Sequence, residues 1–337
     1  MAEVSARAFS VIGSDYIKQF TTENVAQIVD LVKETYRIHG EGKTINPDSY
    51  FLRFPGRPSA RIIALPAAIK DQEPIVGLKW ISSFPENLSY GLNRASAVLI
   101  LNDYATGYPL ACMEGSNISA ARTAASAVCA AELLHPSGKI VSRMGVIGAG
   151  PIARTSCEYL IRTGWKVGEF RVLDLEKARA EVFADQLTSC DQRAAVYDRY
   201  EDVLSASDLV LFATTAAAPY INDVELFRHN PTVLHLSLRD LSIENVLSCQ
   251  NIVDDVEHCL KANTSVHLTE QCLGHRKFVS GTISQLIAGE MRADNDRPRL
   301  FSPFGLGILD LAVGRVIYNK YRRDLGGSAV AGFFPED

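Results

Sequence analysis

The sequence lacks the features that mark several common classes of protein. Its seven cysteines include no C-x-x-C pair, so neither a disulfide framework nor a zinc ribbon is indicated. It has no Lys/Arg-rich run and a net charge of −5, which argues against a nucleic-acid partner. Its apolar runs stop short of the ~20 residues that a membrane span requires, and no internal repeat or low-complexity tract is present. These absences leave a small molecule as the expected partner.

What is present is the composition of a folded globular protein. Of the 337 residues, 47% are hydrophobic and 22% are charged, and this length favours two domains or one large α/β unit. Charged residues near the N-terminus occupy positions where a signal peptide would have its apolar core. We therefore expect a cytoplasmic protein.

The first part of the chain has the pattern of an α+β domain. Residues 22–40 are apolar at helical spacing, with Thr21 and Thr22 as capping candidates, and predict a surface helix. Short β-rich runs then predict an antiparallel or mixed sheet; they cover 49–54, 61–65, 75–81 and 96–101. A helix rich in alanine is predicted over 119–131.

The middle of the chain has a different pattern. Apolar strand-like runs alternate with helical stretches between 141 and 255, which predicts an α/β fold with a doubly wound parallel sheet. These runs are 144–147, 170–173, 209–212, 233–236 and 252–253. A helix predicted over 305–321 is expected to pack on the first part. We therefore expect a discontinuous α+β domain, 1–125 with 300–337, and a parallel domain, 126–299.

The segment that follows the predicted strand 144–147 carries the motif G-x-G-x-x-A. Gly148 permits a tight turn, and Gly150 lets backbone amides approach a pyrophosphate at the start of a helix. Ala149, Pro151 and Ile152 complete the expected contact loop. The motif predicts a Rossmann-like dinucleotide-binding domain, with a glycine turn that binds no nucleotide as the alternative.

The next predicted strand ends in Asp174, 24 residues after Gly150. A carboxylate at this position binds ribose hydroxyls and repels a 2′-phosphate, so the cofactor is expected to be NAD rather than NADP. Lys177 and Arg179 lie nearby and could weaken this preference. The alternative role for Asp174 is a helix cap.

Two later strands end in polar turns. Because ligands of such folds bind beyond the carboxyl ends of the strands, Thr214, Thr215, Ser237 and Leu238 are expected beside the nicotinamide. For the two threonines, a purely turn-forming role is an equally good interpretation.

Several cations in the first half lie within strongly patterned elements. Exposed salt bridges would explain Arg53 and Lys79 taken singly. Arg122 differs, because it interrupts a helix of small and apolar residues, where a buried guanidinium is costly unless an anion meets it. A ligand carboxylate or a cofactor phosphate is the simplest such anion. Arg94 raises the same question less strongly.

Several ordered motifs are similar to one known family. They are 78–81, 106–109, 118–125, 146–153 and the turn at Asp240. Through them the chain resembles the ornithine cyclodeaminase/mu-crystallin family over nearly its whole length. Within it, the chain is most similar to the N-(2-amino-2-carboxyethyl)-L-glutamate dehydrogenase branch, which makes 2,3-diaminopropionate for siderophores and peptide antibiotics. The segments 79–85, 94–99, 235–241 and 300–307 carry that similarity.

The resemblance implies functional residues. Arg53, Lys79 and Arg122 match substrate-carboxylate ligands, and Asp240 matches a catalytic aspartate near the substrate amine. Lys79 is also expected to take part in catalysis, and Arg122 with Thr123 to contact the cofactor. The resemblance further implies a homodimer, for which residues 16–20 and the C-terminal helix are candidate interface elements.

The departures from the family pattern bear on the substrate. The water-activating glutamate of the cyclodeaminases aligns with Ile63, which puts ornithine cyclisation in doubt. A family threonine beside the cofactor is replaced by Arg94, and a lysine by Glu244. An added arginine suits a substrate with additional carboxylates.

The resulting hypothesis is an oxidation of N-(2-amino-2-carboxyethyl)-L-glutamate. NAD+ takes a hydride from the glutamate α-carbon, and water releases 2-oxoglutarate and L-2,3-diaminopropionate. Arg53, Lys79, Arg122 and Arg94 hold the carboxylates, and Asp240 manages the amine proton and activates water.

Other interpretations remain open. Asp240 could be a turn residue paired with Arg239, and the enzyme could be a cyclodeaminase, a ketimine reductase or an alanine-type dehydrogenase. A nucleotide-binding protein without turnover is a further alternative. A metalloenzyme is disfavoured, because the spacings match no standard zinc pattern; the residues concerned are His258, Cys259, His267, Cys272 and His275.

Overall fold

The computed structural model describes residues 9–324 and 329–335. The first eight residues, which belong to the charged N-terminal stretch, lie outside it. The chain divides into two compact units: unit 1 is Met1–Arg122 with Leu306–Asp337, and unit 2 is Thr123–Gly305. Residues 300–305 thus fall in unit 2 rather than in the discontinuous domain. The reason is that Arg299–Ser302 forms a strand of the parallel sheet. In the described ranges, no helix is long and apolar enough to cross a membrane.

Unit 1 is built on a mainly antiparallel sheet. Its elements are β1 (Ser10–Ile12), α1 (Ser14–Glu23), α2 (Val25–Gly40), β2 (Thr44–Ile45), β3 (Tyr50–Phe54), β4 (Arg57–Ile69), β5 (Ile75–Ser83), a 3-10 helix (Pro85–Tyr90), β6 (Ala95–Asp103), β7 (Pro109–Glu114), the first part of α3 (Gly115–Leu134) and α11 (Gly307–Asp324). The strand order is β1-β7-β6-β5-β4-β2, with β3 paired to β4. All neighbours are antiparallel except β1 and β7.

The predicted strands and the C-terminal helix of unit 1 are confirmed. The apolar face of α11 is buried, including Leu309, Val313 and Ile317, and the helix packs on β4 and β5. The helix predicted over 22–40 is confirmed as α2, but α2 begins at Val25 rather than at 22, because α1 ends at Glu23 and the two helices meet at Asn24. Thr21 does not cap the second helix but lies inside α1, where its hydroxyl donates to the Lys18 carbonyl.

Unit 2 is a parallel sheet with helices between its strands. Its elements are the rest of α3, β8 (Ile140–Ile147), α4 (Pro151–Arg162), β9 (Lys166–Leu173), α5 (Lys177–Ser189), β10 (Ala194–Val196), α6 (Tyr200–Leu204), β11 (Leu209–Phe212), a 3-10 helix (Val224–Phe227), β12 (Thr232–His235), α7 (Ile243–Ser248), β13 (Gln250–Val253), α8 (Val256–Cys259), α9 (Ser265–Leu273), β14 (Val279–Thr282), α10 (Ile283–Ala288) and β15 (Arg299–Ser302).

The strand order of this sheet creates a crevice for a ligand. The order is β10-β9-β8-β11-β12-β15-β13-β14, and the paired strands are parallel. After β8 the chain builds outward through β9 and β10, and it then returns to the other side of β8 with β11. In such sheets the ligand crevice opens at this reversal, beyond the carboxyl ends of the strands. The α/β prediction is confirmed.

Candidate active site

The glycine-rich loop lies at the carboxyl end of β8, where the sheet order reverses. Gly148 has φ +95°, and a Cβ on it would stand 2.6 Å from the Ala213 carbonyl oxygen, so the turn requires glycine. Gly150 is different, since it has φ −76° and nothing within 4 Å of the place where a Cβ would stand. The protein itself therefore does not explain the glycine at 150, but a phosphate approaching the backbone would.

The start of α4 has the features of an anion site. Gly150 is its N-cap, no side chain caps it, and Pro151 begins the helix without an N–H that would need a partner. Ala153 is fully buried, as close packing of helix on strand requires. Ile152 is half-buried in the first turn. The uncapped helix start and the room at Gly150 fit the pyrophosphate of a dinucleotide.

Asp174 follows β9 and is joined to this loop. Its Oδ2 accepts a hydrogen bond from the Ala149 amide at 2.7 Å, and its Oδ1 accepts one from the Glu176 amide at 2.9 Å. The carboxylate is thus placed beside the loop, where the ribose of a bound dinucleotide is held in this fold.

The two nearby cations each have an acidic partner. Lys177 Nζ lies 2.9 Å from Asp198, and Arg179 Nε lies 2.8 Å from Glu176. Both pairs are exposed, so neither is strongly fixed. Even so, the ion pairs join these cations to acids other than Asp174. This favours NAD over NADP.

Asp240 is the centre of a buried hydrogen-bond network in unit 2. Its side chain has no exposed surface. Its Oδ1 accepts from the Thr214 hydroxyl at 2.5 Å, and its Oδ2 accepts from the Ser237 hydroxyl and contacts His235 Nε2 at 3.0 Å. Tyr220 also hydrogen-bonds to it. The ends of β11 and β12 thus bring Thr214 and Ser237 to the same carboxylate.

The network controls the charge of Asp240. Burial alone would raise the pKa of this carboxyl, but hydrogen bonds from His235, Ser237 and Thr214 outweigh burial and lower it. The same carboxylate, together with burial, raises the pKa of Tyr220. Asp240 is therefore ionised at neutral pH.

The turn before Asp240 has a strained backbone. Leu238 is buried and has φ +71°, in the left-handed region, which costs a branched residue about 1–3 kcal/mol. Its carbonyl accepts from the Ser265 amide at 2.7 Å. Arg239 donates from Nε and Nη2 to the Ala262 carbonyl. These contacts hold the turn, so Arg239 has a structural partner of its own. Thr215 follows the adjacent strand, β11, and is exposed.

In unit 1, Lys79 and Arg122 meet at one buried carboxylate. Lys79 Nζ donates to Asp310 Oδ2 at 2.7 Å and to the Ser119 hydroxyl at 3.2 Å. Arg122 Nε donates to Asp310 Oδ1 at 3.3 Å. Only 2% of Lys79 and none of Asp310 is exposed. The expectation that an anion meets Arg122 is confirmed, but the anion that the structure shows is Asp310 on α11 rather than a ligand, because α11 places this carboxylate beside the guanidinium group.

The environment of Lys79 leaves its charge poorly compensated. Burial, assisted by the nearby charge of Arg122, lowers the pKa of Lys79 from 10.5 to about 8, although Asp310 acts in the opposite direction. A ligand carboxylate would stabilise the ammonium form. Thr123, the next residue of α3, is half-buried.

The remaining predicted ligands lie at the end of the same sheet. Leu65 pairs with Lys79 and Arg53 pairs with Arg61 in the register of β4, so Arg53 is on the Lys79 face. It is exposed and lies over the Phe51 ring. Arg94 is half-buried just before β6. Ile63 pairs with Ile81 on this face, so two apolar side chains occupy this pair of positions.

Sequence reasoning missed three residues of these networks. Asp310 could have been found, because it is the one acid within the apolar run 308–313. His235 ends a fully buried strand, which is an unusual place for a polar residue. Tyr220 has no signal in the sequence. Among the described residues, no group of three or more His, Cys, Asp or Glu side chains could hold a metal ion.

Three known proteins illustrate what the chain is similar to. It is 27% identical over 314 residues, 90% of this chain and 92% of the relative, to N-((2S)-2-amino-2-carboxyethyl)-L-glutamate dehydrogenase of Staphylococcus aureus (strain NCTC 8325 / PS 47). A solved archaeal alanine dehydrogenase dimer with bound NAD is 25% identical, with TM-score 0.85 and coverage of 96% and 99%.

A second solved structure supports the fold alone. Thermococcus litoralis Δ1-pyrroline-2-carboxylate reductase, in complex with NADH and L-proline, is 23% identical, with TM-score 0.87, 95% of this chain and 100% of that chain covered. The sequence model of the ornithine cyclodeaminase/mu-crystallin family matches residues 16–230. With a match over well over half of its length, the chain belongs to the ornithine cyclodeaminase/mu-crystallin family.

Proposed function

We propose that this protein is an NAD-dependent amino-acid dehydrogenase that oxidises N-(2-amino-2-carboxyethyl)-L-glutamate. The cofactor is supported by the loop at Gly148 and Gly150, by Asp174, and by the NAD present in the archaeal alanine dehydrogenase structure. The substrate is supported by the Staphylococcus aureus relative, which carries this activity in its name.

The observation that carries the substrate proposal is the concentration of cations on one face of the unit 1 sheet. Arg53 and Lys79 share that face, Arg122 joins Lys79 at Asp310, and Arg94 lies at the end of the same strands. A substrate with a single carboxylate does not need four cations. The proposed substrate has three carboxylates, and fixed guanidinium and ammonium groups bind carboxylates with charge-assisted hydrogen bonds.

The proposed reaction balances as an oxidation followed by hydrolysis. Bound NAD+ provides a hydride acceptor. The glutamate α-carbon loses the hydride and the secondary amine loses a proton, which leaves a carbon–nitrogen double bond. Water adds to that carbon, and the carbon–nitrogen bond breaks to give 2-oxoglutarate, L-2,3-diaminopropionate and NADH. Lys79 and Arg122 hold the carboxylate beside the reacting carbon and orient it.

Asp240 is proposed as the group that receives protons. Its lowered pKa keeps it ionised, but both of its oxygens already accept hydrogen bonds. Any proton that it receives therefore passes through the side chains of Ser237 and Thr214, which are half-buried, or arrives after one of them turns away.

The test is NADH absorbance with purified protein, NAD+ and N-(2-amino-2-carboxyethyl)-L-glutamate, with alanine and ornithine as parallel substrates. The expected result is a rise with the tricarboxylate only, together with one 2-oxoglutarate and one diaminopropionate per NADH. Turnover of alanine or ornithine alone would reject this substrate but keep the NAD-dependent reaction. Binding of NADH with no turnover of any substrate would favour a non-catalytic nucleotide-binding protein.

The second candidate is an enzyme for a substrate with one carboxylate. The similarity to the archaeal alanine dehydrogenase and to a Bacillus cereus Δ1-pyrroline-2-carboxylate reductase, 25% identical over 302 residues, favours it. Ornithine cyclisation is less well supported, because Ile63 and Ile81 occupy the face where a water-activating carboxylate would stand. Imine reduction of pyrroline-2-carboxylate by NADH, followed as loss of absorbance, tests this alternative directly.

We also infer that the protein forms a homodimer through the face of the unit 1 sheet opposite Lys79. Leu52, Trp80 and Val98 are on that face by their strand register and are 47%, 40% and 37% exposed. The elements first suggested for the interface are less suitable, because Ile17, Phe20 and the apolar face of α11 are buried within unit 1. The solved archaeal relative is a dimer.

A further inference from the structure

A third arginine lies between Arg53 and Arg94. Arg61 of β4 is directly opposite Arg53 of β3 and opposite Ser83 of β5. Ser83 in turn pairs with Ala95 of β6, and the Phe84 amide donates to the Arg94 carbonyl at 2.8 Å. Arg53 and Arg61 therefore lie in one transverse row at the end of the sheet, and Arg94 borders that row, directly before Ala95.

The electrostatics show that the three guanidinium groups influence one another. Burial lowers the pKa of Arg61, and the charge of Arg53 lowers it further. Burial likewise lowers the pKa of Arg94, assisted by the charge of Arg61. Phe54 and Phe84 pack 5.4 Å apart at the same end of the strands.

This arrangement is unfavourable without an anion. Like charges directly opposite in a sheet destabilise it, and partly buried cations are costly when unpaired. In the described part of the chain, no side-chain hydrogen bond or ion pair joins the guanidinium group of Arg53, Arg61 or Arg94 to another residue. Asp310 is the partner of Lys79, not of this row.

The spacing suits an extended ligand with several carboxylates. Ser83, in the row, is four residues from Lys79 on β5, which is about 13 Å at a strand rise of about 3.3 Å per residue. Arg61 shares the Lys79 face, because its partner Ser83 does. Long arginine side chains shorten that gap, so one molecule can reach both groups.

We propose that Arg61 is a substrate-binding residue that, with Arg53 and Arg94, binds the carboxylates lying away from the reacting carbon, while Lys79 and Arg122 bind the carboxylate beside it. This inference rests on the proposed function and adds to it. The arginine row sets the preference for amino acids with two or more extra carboxylates. A substrate with one carboxylate engages only the Lys79 end.

The experiment compares Arg61→Gln with Lys70→Gln, which removes an exposed cation just beyond the other end of β4. Steady-state kinetics with N-(2-amino-2-carboxyethyl)-L-glutamate are combined with calorimetric binding of the same compound and with NADH affinity. In Arg61→Gln the KM and the dissociation constant should each rise roughly 10- to 100-fold, with kcat and NADH affinity changed less than about two-fold. Lys70→Gln should match the wild type.

A conservative variant and the melting temperature control for folding. Arg61→Lys retains the charge without the paired donors of a guanidinium, so it should recover part of the affinity. If the wild type turns over the compound and Arg61→Gln leaves KM unchanged, the inference is overturned and the proposed function stands. If the wild type binds the compound without turnover and Arg61→Gln abolishes that binding, the site stands and the proposed reaction fails. A wild type that neither binds nor oxidises the compound overturns both.

Discussion

Among the candidate ligands, Lys79 is the most deeply buried and has the most clearly shifted pKa. Its pKa of about 8 places its titration within the working range of an enzyme. Below pH 8 the ammonium form binds a carboxylate, and above it the neutral amine does not. For stability the sign is opposite, since the unfolded chain binds more protons between about pH 8 and 10.5, so this group makes unfolding less favourable as pH rises through that window.

The first prediction follows for substrate binding. The KM of the wild type should rise above about pH 8, by up to about ten-fold per pH unit. Lys79→Met should have a high KM at every pH and no break near pH 8, and Lys70→Met should behave as the wild type. The measurement is KM from pH 6 to about 10. A break that persists in Lys79→Met would belong to another group.

The second prediction concerns Asp240. Asp240→Asn keeps the shape and part of the hydrogen bonding with Thr214, Ser237 and His235 but cannot accept a proton. We expect kcat to fall by roughly 10²- to 10⁴-fold, as for loss of a general base, while NADH fluorescence titration gives an unchanged affinity. Retained turnover would make Asp240 a residue that only holds the turn.

At the residue scale, sequence reasoning finds side chains but not their partners. Lys79, Arg122 and Asp240 were identifiable from patterns and from the family resemblance. Asp310 is 231 positions from Lys79, and no local pattern connects them. Without that partner, the charge of Arg122 suggested a ligand. The same limit applies to Arg61. Its sequence context is that of an ordinary strand residue, and only the strand register shows that it lies between Arg53 and Arg94.

At the scale of elements, periodicity found α11 and the strands β3 to β6, β8, β9 and β11 to β13. It did not find β1, β2, β7, β10, β14 and β15. It placed the start of α2 three residues too early, at 22 instead of Val25, because the break between α1 and α2 falls at Asn24. The break is set by backbone geometry, since Asn24 has φ −116° and ψ 35°. The end of the parallel domain was also misplaced, because β15 pairs with β12 and β13, and such long-range pairing is not encoded in spacing.

The third prediction belongs to the loop between β8 and α4 and the end of β9. Asp174→Ser removes a charge that repels a 2′-phosphate, so the ratio of NADPH to NADH dissociation constants should fall roughly 10- to 100-fold. Fluorescence titration with both reduced cofactors measures it. Asp185→Ser, on the exposed side of α5, is the charge-matched control. An unchanged ratio in Asp174→Ser would mean that other groups discriminate the two cofactors.

At the scale of the whole molecule, the proposed homodimer depends on one face of the unit 1 sheet. Trp80 lies between Ala64 and Val98 on that face, and 40% of it is exposed in the single chain. Burying a carboxylate there in a homodimer would be costly. The fourth prediction is therefore that Trp80→Glu raises the dimer dissociation constant roughly 30-fold or more, measured by sedimentation across protein concentrations.

The control for this prediction separates a specific interface from a general change of surface. Val182→Glu introduces the same charge at a 50% exposed position on α5 of unit 2 and should leave the dimer intact. Lys79 points to the other face of the sheet, so its buried pair with Asp310 should survive in the Trp80→Glu monomer. A dimer that is unaffected by Trp80→Glu but lost on substitution in α11 would return the interface to the C-terminal helix, and the apolar sheet face would then need another occupant.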